Sequence, residues 1–175
     1  TLEEFTFRSR LRKSRAPEVD AMLAHGMDID TIQKEKDSNS QLISKLEKKF
    51  KDWASKGAIF VGYNNFNYDN ILLNNSLYLN LKWPYVTTKG GGQFDLLPAI
   101  RGCSVFAPNQ LAHELNDRGG RIFKLQSMLK ANNIKTKAAH ESLEDTRATK
   151  NLCSLLFKRA PEVFNAAIAL RRKND

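Results

Sequence analysis

The stretch "AIFVGYN" (residues 58–64) is a short run of mainly apolar residues that leads directly into polar ones. A run of this length without alternation is typical of a strand that is buried on both faces of a sheet. It follows residues 39–56, where apolar residues recur at helical spacing, and Gly57 predicts the end of that helix. A helix followed by a buried strand indicates an α/β domain.

The rest of the chain continues this alternation. Further helices are predicted over residues 69–79, 123–134 and 138–156, and from Pro161 onward. Residues 93–103 look like a strand end that runs into a helix, and residues 4–11 alternate like a strand. Residues 21–30 are interpreted as a turn-rich connection and residues 104–121 as irregular. The pattern contains no internal repeat, so we predict one α/β domain.

The composition is that of an ordinary globular domain, with 175 residues of which 41% are hydrophobic. This length suits a single domain with a real core. No run of eighteen apolar residues occurs, so we expect no membrane span. Cys103 and Cys153 lie far apart in apolar helical patterns, which predicts two buried free thiols and a reducing cytoplasm.

The charge balance is strongly basic, with a formal net charge of +9. Lysine and arginine cluster in "RSRLRKSR" (8–15), "KLEKKFK" (45–51) and "LRRK" (170–173). Such a surplus favours polyanionic partners, and nucleic acid first among them. The alternative is a solvated basic surface without a partner.

The stretch "AAHESLEDTRATKNLCSLL" (138–156) places an acid, Asp145, on the stripe that its helix turns to the core. That stripe continues through Thr149, Leu152 and Leu156. Asp145 could be the acidic member of a capping box with Ser142. It could instead bind a divalent cation, with His140 as general base for a water molecule. A buried carboxylate without a partner is costly, and a cation would remove that cost.

The stretch "GYNNFNYDN" (62–70) places Asn65, Tyr68 and Asp69 where the predicted strand meets the next helix. Functional sites collect at such strand ends in α/β sheets, although Asp69 could simply favour a helix N-terminus. Asp69 and Asp145 could converge on one pair of metal ions. Two-metal sites of this kind carry out phosphoryl displacement, and their oxygen ligands suit Mg²⁺ or Mn²⁺.

On these motifs the chain resembles the DEDDh 3′–5′ exonucleases of the proofreading superfamily, and among them bacterial exonuclease I. The second motif of the family, Asn-x-x-(Phe/Tyr)-Asp, is present as "NFNYD" ending at Asp69. The third, His-x4-Asp, is present as "HESLED" from His140 to Asp145. Three other segments are also similar: "LAHGMDID" (23–30), "FDLLPAIRGC" (94–103) and "FKLQSMLKANNI" (123–134).

The resemblance implies a ribonuclease H-like fold, in which helices flank a mixed sheet. It implies stepwise hydrolysis of single-stranded DNA from the 3′ end, with two Mg²⁺ or Mn²⁺ ions. His140 would be the general base, and Asp145 and Asp69 would be metal ligands. Three other residues would support Asp69 or contact the substrate: Asn65, His25 and Lys124.

The sequence departs from the family in one respect, because the first motif, Asp-x-Glu, is absent. "DID" (28–30) lies in a segment that matches a different element and does not replace it. We expect the motif to precede residues 4–11, so that residues 1–175 form an N-terminally incomplete exonuclease domain without its first strand or strands. This chain alone should then be nearly inactive, and we expect it to be a monomer. A catalytically silent nucleic-acid-binding module and a 3′–5′ exoribonuclease stay open as alternatives.

Overall fold

Helices and a small parallel sheet alternate along the chain in a computed structural model that describes residues 3–12, 14, 16–26, 28–136 and 142–171. The elements in these ranges are α1 (Val19–His25), α2 (Ile29–Gln33), α3 (Asn39–Ser55), β1 (Phe60–Gly62), α4 (Asp69–Leu79), β2 (Gln93–Asp95), α5 (Leu96–Phe106), α6 (Leu125–Ala131), α7 (Ser142–Arg159) and α8 (Pro161–Ala169). None of these described helices is both long and apolar enough to cross a membrane.

The two strands pair in parallel, with Phe60 opposite Gln93 and Gly62 opposite Asp95. Parallel strands need a crossover connection, and the segment containing α4 provides it. Because the two strands run in the same direction, the loop after β1 and the start of α5 meet at one edge of the sheet. The resemblance implied a mixed sheet, and the described residues contain this one parallel pair.

The main core lies where α5 to α8 pack against β2. Ile100, Met128, Leu152 and Leu156 are fully buried there. The predicted stripe on α7 is confirmed, because Thr149 is buried together with the two leucines. A second, smaller cluster joins α3 to α4 through Ile43, Leu77 and Val86.

The prediction of a strand over residues 4–11 is wrong. Residues 3–12 form no helix or strand, and no described strand pairs with them. Side chains anchor them instead. The Phe5 ring lies 5.4 Å from that of Trp53 on α3, and Glu4 forms a 2.5 Å ion pair with Arg147 on α7. The alternating pattern therefore reflects alternate anchoring of side chains, which looks the same in sequence as one face of a sheet.

Residues 21–30 are also different from the prediction, since they belong largely to α1 and α2 rather than to a connection. Gly26, with φ 59°, caps the end of α1, and the Asp28 side chain accepts a hydrogen bond from the Thr31 N–H at 2.6 Å. The glycine and acid that suggested turns are therefore helix caps. Cys103 and Cys153 are free thiols as predicted, although Cys153 is only partly buried.

Gly90 allows α3 to approach the connection between α4 and β2. It has φ 71°, and an added Cβ would lie 2.1 Å from the carbonyl oxygen of Ala54. Gly90→Ala should lower the free energy of unfolding by about 2–4 kcal/mol, because left-handed backbone strain and overpacking both contribute. Urea denaturation measures this change.

Gly119→Ala is the matched control, because Gly119 has φ 75° but no atom within 4 Å of an added Cβ. It should cost only about 1 kcal/mol, the strain alone. Equal losses in the two variants would contradict the close approach at Gly90.

Candidate functional site

Asp95 lies at the centre of the sheet edge where the two strands end. It is 5% exposed, and its Oδ1 accepts hydrogen bonds from the N–H of Leu97 at 3.0 Å and of Asn64 at 2.7 Å. Its Oδ2 accepts a third from the N–H of Phe66 at 3.2 Å. One carboxylate therefore caps α5 and holds the loop after β1. Asp95 is not among the predicted site residues, although an acid directly before an apolar helix is a helix-cap signal.

Asn65 folds back on the end of β1 and is 6% exposed. Gly62 makes room for it, since a Cβ at residue 62 would lie 2.6 Å from the Cβ of Asn65. The backbone carbonyl of Asn65 accepts from the N–H of Asn70 in α4 at 2.9 Å. Its side-chain oxygen is buried and has no donor among the described residues. A buried acceptor without a partner is costly, so this oxygen is available to a donor or a cation.

Asp69 is the first residue of α4. The residue as a whole is exposed, but the protein around its carboxyl excludes enough water to raise the pKa of Asp69. The negative charge of Asp95 adds to this rise in pKa, while the Asp69 backbone N–H works against it. A cation beside Asp69 would favour its ionised form.

Asp145 lies in the first turn of α7 and is partly buried. Its Oδ1 accepts a hydrogen bond from Nε2 of Gln126 on α6 at 3.1 Å. Ser142 is already the first helical residue of α7, and its carbonyl accepts from the Thr146 hydroxyl at 2.8 Å. The capping-box alternative stays open, because the residue before Ser142 lies outside the described residues.

The start of α7 is also tied to the N-terminal segment. Arg147, two residues after Asp145, forms ion pairs with Glu4 and with the buried Glu144. The two carboxylates raise the pKa of Arg147, and Arg147 in turn lowers the pKa of Glu4. No sequence pattern predicts this network, because Glu4 and Arg147 are far apart in the chain and no motif connects them.

A hydrogen bond joins the β1 loop to the segment before α6. The Tyr63 hydroxyl donates to the backbone oxygen of Phe123 at 2.5 Å. Burial raises the pKa of Tyr63 to about 12, so its hydroxyl keeps the proton that this bond requires at neutral pH. Lys124 follows Phe123 directly, is exposed, and precedes the first residue of α6.

No family model matches the chain. Exodeoxyribonuclease I of Buchnera aphidicola subsp. Schizaphis graminum is 31% identical over 134 residues, which are 75% of this chain and 28% of that protein. Its counterpart in subsp. Acyrthosiphon pisum is 33% identical over 117 residues, or 66% of this chain and 28% of that protein. The crystal structure of E. coli exonuclease I in complex with a dA16 oligonucleotide matches with a TM-score of 0.77 and 25% identity, over 86% of this chain and 32% of that one.

The chain belongs with exonuclease I of the DEDDh family. The predicted α/β nuclease fold is thereby confirmed. The chain spans 28% of the length of the two curated relatives. The activity of those longer proteins is therefore only proposed for this chain.

The residues predicted from the exonuclease I motifs fall into two groups. Asn65 and Asp69 lie together at the β1–α4 junction, and Asp145 and Lys124 lie on and beside the α6–α7 pair. His140 is outside the described residues, and so is the side chain of His25, which ends α1.

The donor atoms suit a hard divalent cation, because carboxylate and amide oxygens are the ligands that Mg²⁺ and Mn²⁺ prefer. Asp69, Asp145 and the orphan oxygen of Asn65 are of this kind. Within the described ranges, however, no three residues of the types His, Cys, Asp and Glu form a cluster that could hold a metal ion. The described residues therefore fit a cation by the chemistry of their oxygen atoms.

Replacing Asp95 tests whether one carboxylate organises this site. Asp95→Ala removes a helix cap and leaves two loop N–H groups without acceptors, so it should lower the free energy of unfolding by about 3 kcal/mol. Amide hydrogen exchange at Asn64 and Phe66 should become faster by about ten-fold or more, since each loses its acceptor. Urea denaturation and NMR exchange measure the two effects.

Asp28→Ala is the matched control, because Asp28 caps α2 through the N–H of Thr31 and holds no second segment. It should cost about 1 kcal/mol and leave exchange in the loop unchanged. If Asp95→Ala behaved the same way, Asp95 would be a helix cap and nothing more.

Proposed function

We propose that this chain is the body of a metal-dependent 3′–5′ exonuclease domain, which hydrolyses single-stranded DNA to nucleoside monophosphates once an Asp-x-Glu motif completes its metal site. The observation that carries the proposal is the relationship to exonuclease I together with the positions of Asp69 and Asp145, each in the first turn of a helix. The solved relative bound to dA16, a single-stranded DNA, supports the choice of substrate.

The proposed roles follow the chemistry of each group. Asp69 and Asp145 would hold Mg²⁺ or Mn²⁺, and two ions are expected in a site completed by an Asp-x-Glu motif. Bound ions of this kind activate the attacking water and offset the charge that develops on the phosphate. His140 would accept the proton of the attacking water. The hydrogen bond from Gln126 would keep the Asp145 carboxylate in one orientation.

The remaining predicted residues would act on the substrate. Asn65 would position Asp69, because both belong to the junction that Asp95 holds. Lys124 is exposed beside α6 and would attract a phosphate. His25 would contact the terminal nucleotide. The single domain over residues 1–175, the monomeric state and the cytoplasmic location stay predictions.

Metal-dependent stabilisation tests the role of Asp145. Millimolar Mn²⁺ should raise the melting temperature of the wild-type chain, because a ligand that binds only the folded state stabilises it. Asp145→Ala should abolish this rise. Thermal unfolding with and without Mn²⁺ measures the difference.

Glu162→Ala is the control, because Glu162 is an exposed acid in the first turn of α8 and has the same relation to its helix dipole. It should keep the full response to Mn²⁺. If Asp145→Ala kept it too and lost only about 1 kcal/mol of stability, Asp145 would be a helix-start acid and not a ligand.

Hydrolysis by this chain alone should be close to background, because its sequence has no Asp-x-Glu motif to complete the metal site. A 5′-labelled single-stranded oligonucleotide with Mg²⁺ would show any stepwise shortening from the 3′ end. Degradation that Asp145→Ala abolishes would contradict this expectation and show that the acids present are sufficient.

The missing Asp-x-Glu motif also favours a second candidate, a catalytically silent nuclease-like module that binds nucleic acid. Such a module would bind single-stranded DNA equally well with and without a divalent cation, and Asp145→Ala would leave its affinity unchanged. Competition between DNA and RNA strands of equal length separates a deoxyribonuclease from an exoribonuclease, since recognition of the 2′-hydroxyl distinguishes the two.

A further inference from the structure

Two aromatic rings stand exposed on the connection between α4 and β2. Trp83 is 56% exposed and Tyr85 is 49% exposed, and their ring centroids are 5.7 Å apart in an edge-to-face arrangement. Trp83 contributes nothing to either hydrophobic core of the described residues. Core packing therefore does not explain why Trp83 lies exposed beside the Tyr85 ring.

The segment that carries these rings is firmly anchored. Val86 is buried in the cluster of α3 and α4, and Thr87 accepts a hydrogen bond from Gln93 of β2. Lys82 forms a 2.7 Å ion pair with Glu47 on α3. On the far side, Gly90 packs against the backbone of α3. The rings thus project from a fixed segment, which reduces the entropy that a ligand must remove on binding.

Trp83 also lines a cavity of about 510 Å³ between this segment and the C-terminal part of α3. Two lysines, Lys51 and Lys89, lie on its wall. The Lys89 ammonium is 5.9 Å from the Trp83 ring centroid, and no carboxylate among the described residues forms an ion pair with it. Lys51 pairs with Glu47 but is 58% exposed, so its ammonium retains free donors.

We propose that Trp83, Tyr85, Lys51 and Lys89 form a second contact surface for single-stranded nucleic acid, separate from the 3′-end site. An aromatic face beside ammonium groups that retain free donors is the combination that stacks a base and binds its phosphate. This proposal rests on the proposed function, because the second surface would bind a more distant part of the strand whose 3′ end lies at the proposed site. An acidic peptide could satisfy the lysines but would leave the aromatic face without a planar partner.

The surface lies at the other end of α4 from Asp69. The helix has 11 residues and is therefore about 16 Å long. A strand whose 3′ end lies at Asp69 must extend past this length to reach Trp83. Short oligonucleotides therefore cannot occupy both places, and binding should depend on Trp83 only above a certain strand length.

Fluorescence anisotropy with labelled oligodeoxythymidines of 2 nucleotides and of about 16 nucleotides, the upper end of the site sizes for single strands, tests this dependence. Both carry a nuclease-resistant 3′ linkage and are titrated with the whole chain in Mg²⁺. Trp83→Ala should weaken binding of the long strand by about ten-fold, the effect of losing one stacked base. It should leave binding of the short strand unchanged, and Trp83→Phe should restore most of the loss.

The controls separate stacking from charge. Phe106→Ala removes an exposed ring that lies outside this surface and should have no effect. Lys89→Gln should reduce the slope of log K against log salt by about 0.7, the value for one phosphate contact on a single strand, whereas Lys158→Gln on α7 should not. A long abasic strand should bind wild type and Trp83→Ala equally.

The outcomes distinguish this surface from the 3′-end site. If Trp83→Ala bound the long strand as tightly as wild type, or weakened both strands equally, the second surface would be refuted and the proposed function would stand. If wild type bound neither strand, the proposed function would fail, and the second surface with it.

Discussion

The three hydrogen bonds to the buried carboxylate of Asp95 are the interaction on which the rest of the site depends. They connect three parts of the chain: the end of β2, the start of α5 and the loop after β1. Parallel pairing of β1 and β2 places these parts side by side, and the carboxylate then holds the loop that positions Asn65 and Asp69. Backbone N–H groups that would otherwise lack partners therefore become the means of building the site.

The same carboxylate also has an electrostatic effect, because its charge helps to raise the pKa of Asp69. Two acids near one another and partly removed from water favour a cation between or beside them. The Asn65 side-chain oxygen, which has no partner among the described residues, is likewise available to a hydrogen-bond donor or a cation. The Asp95 carboxylate thus has two effects, since it holds the loop after β1 and also helps to raise the pKa of Asp69.

Besides the shared hydrophobic core, polar contacts connect the two halves of the site. Tyr63 bonds to the backbone before α6, and Gln126 bonds to Asp145 from α6 to α7. Arg147 then ties α7 to the N-terminal segment. These contacts form a series from the sheet edge to both acids. The surface formed by Trp83, Tyr85, Lys51 and Lys89 is not part of this series. Its separate position is consistent with two regions of contact for a polyanion of several nucleotides.

Elements with local signals were predictable from the amino-acid sequence alone. The helix over α3 and the buried stripe of Thr149, Leu152 and Leu156 followed from periodicity, because side-chain spacing repeats with the geometry of a helix. The strand at β1 followed from a short apolar run, but its predicted burial on both faces is wrong, since Val61 is 44% exposed. The two motifs with Asp69 and Asp145 were also recognisable in the sequence, since the residues of each motif lie close together in the chain. Residues 4–11 were wrongly predicted as a strand, because the alternation of apolar and polar residues does not show whether a neighbouring strand exists.

Only the tertiary structure decided which distant groups meet. Asp95 with Asn64, Tyr63 with Phe123, and Arg147 with Glu4 are pairs that no spacing rule connects, because each depends on how the sheet and helices pack. The surface at Trp83 is of the same kind, since α3 contributes Lys51 and the α4–β2 connection contributes the rings. The sequence therefore determined what the elements are and which chemistry they carry. Packing decided which of those groups share one environment, because burial and charge act through space and not along the chain.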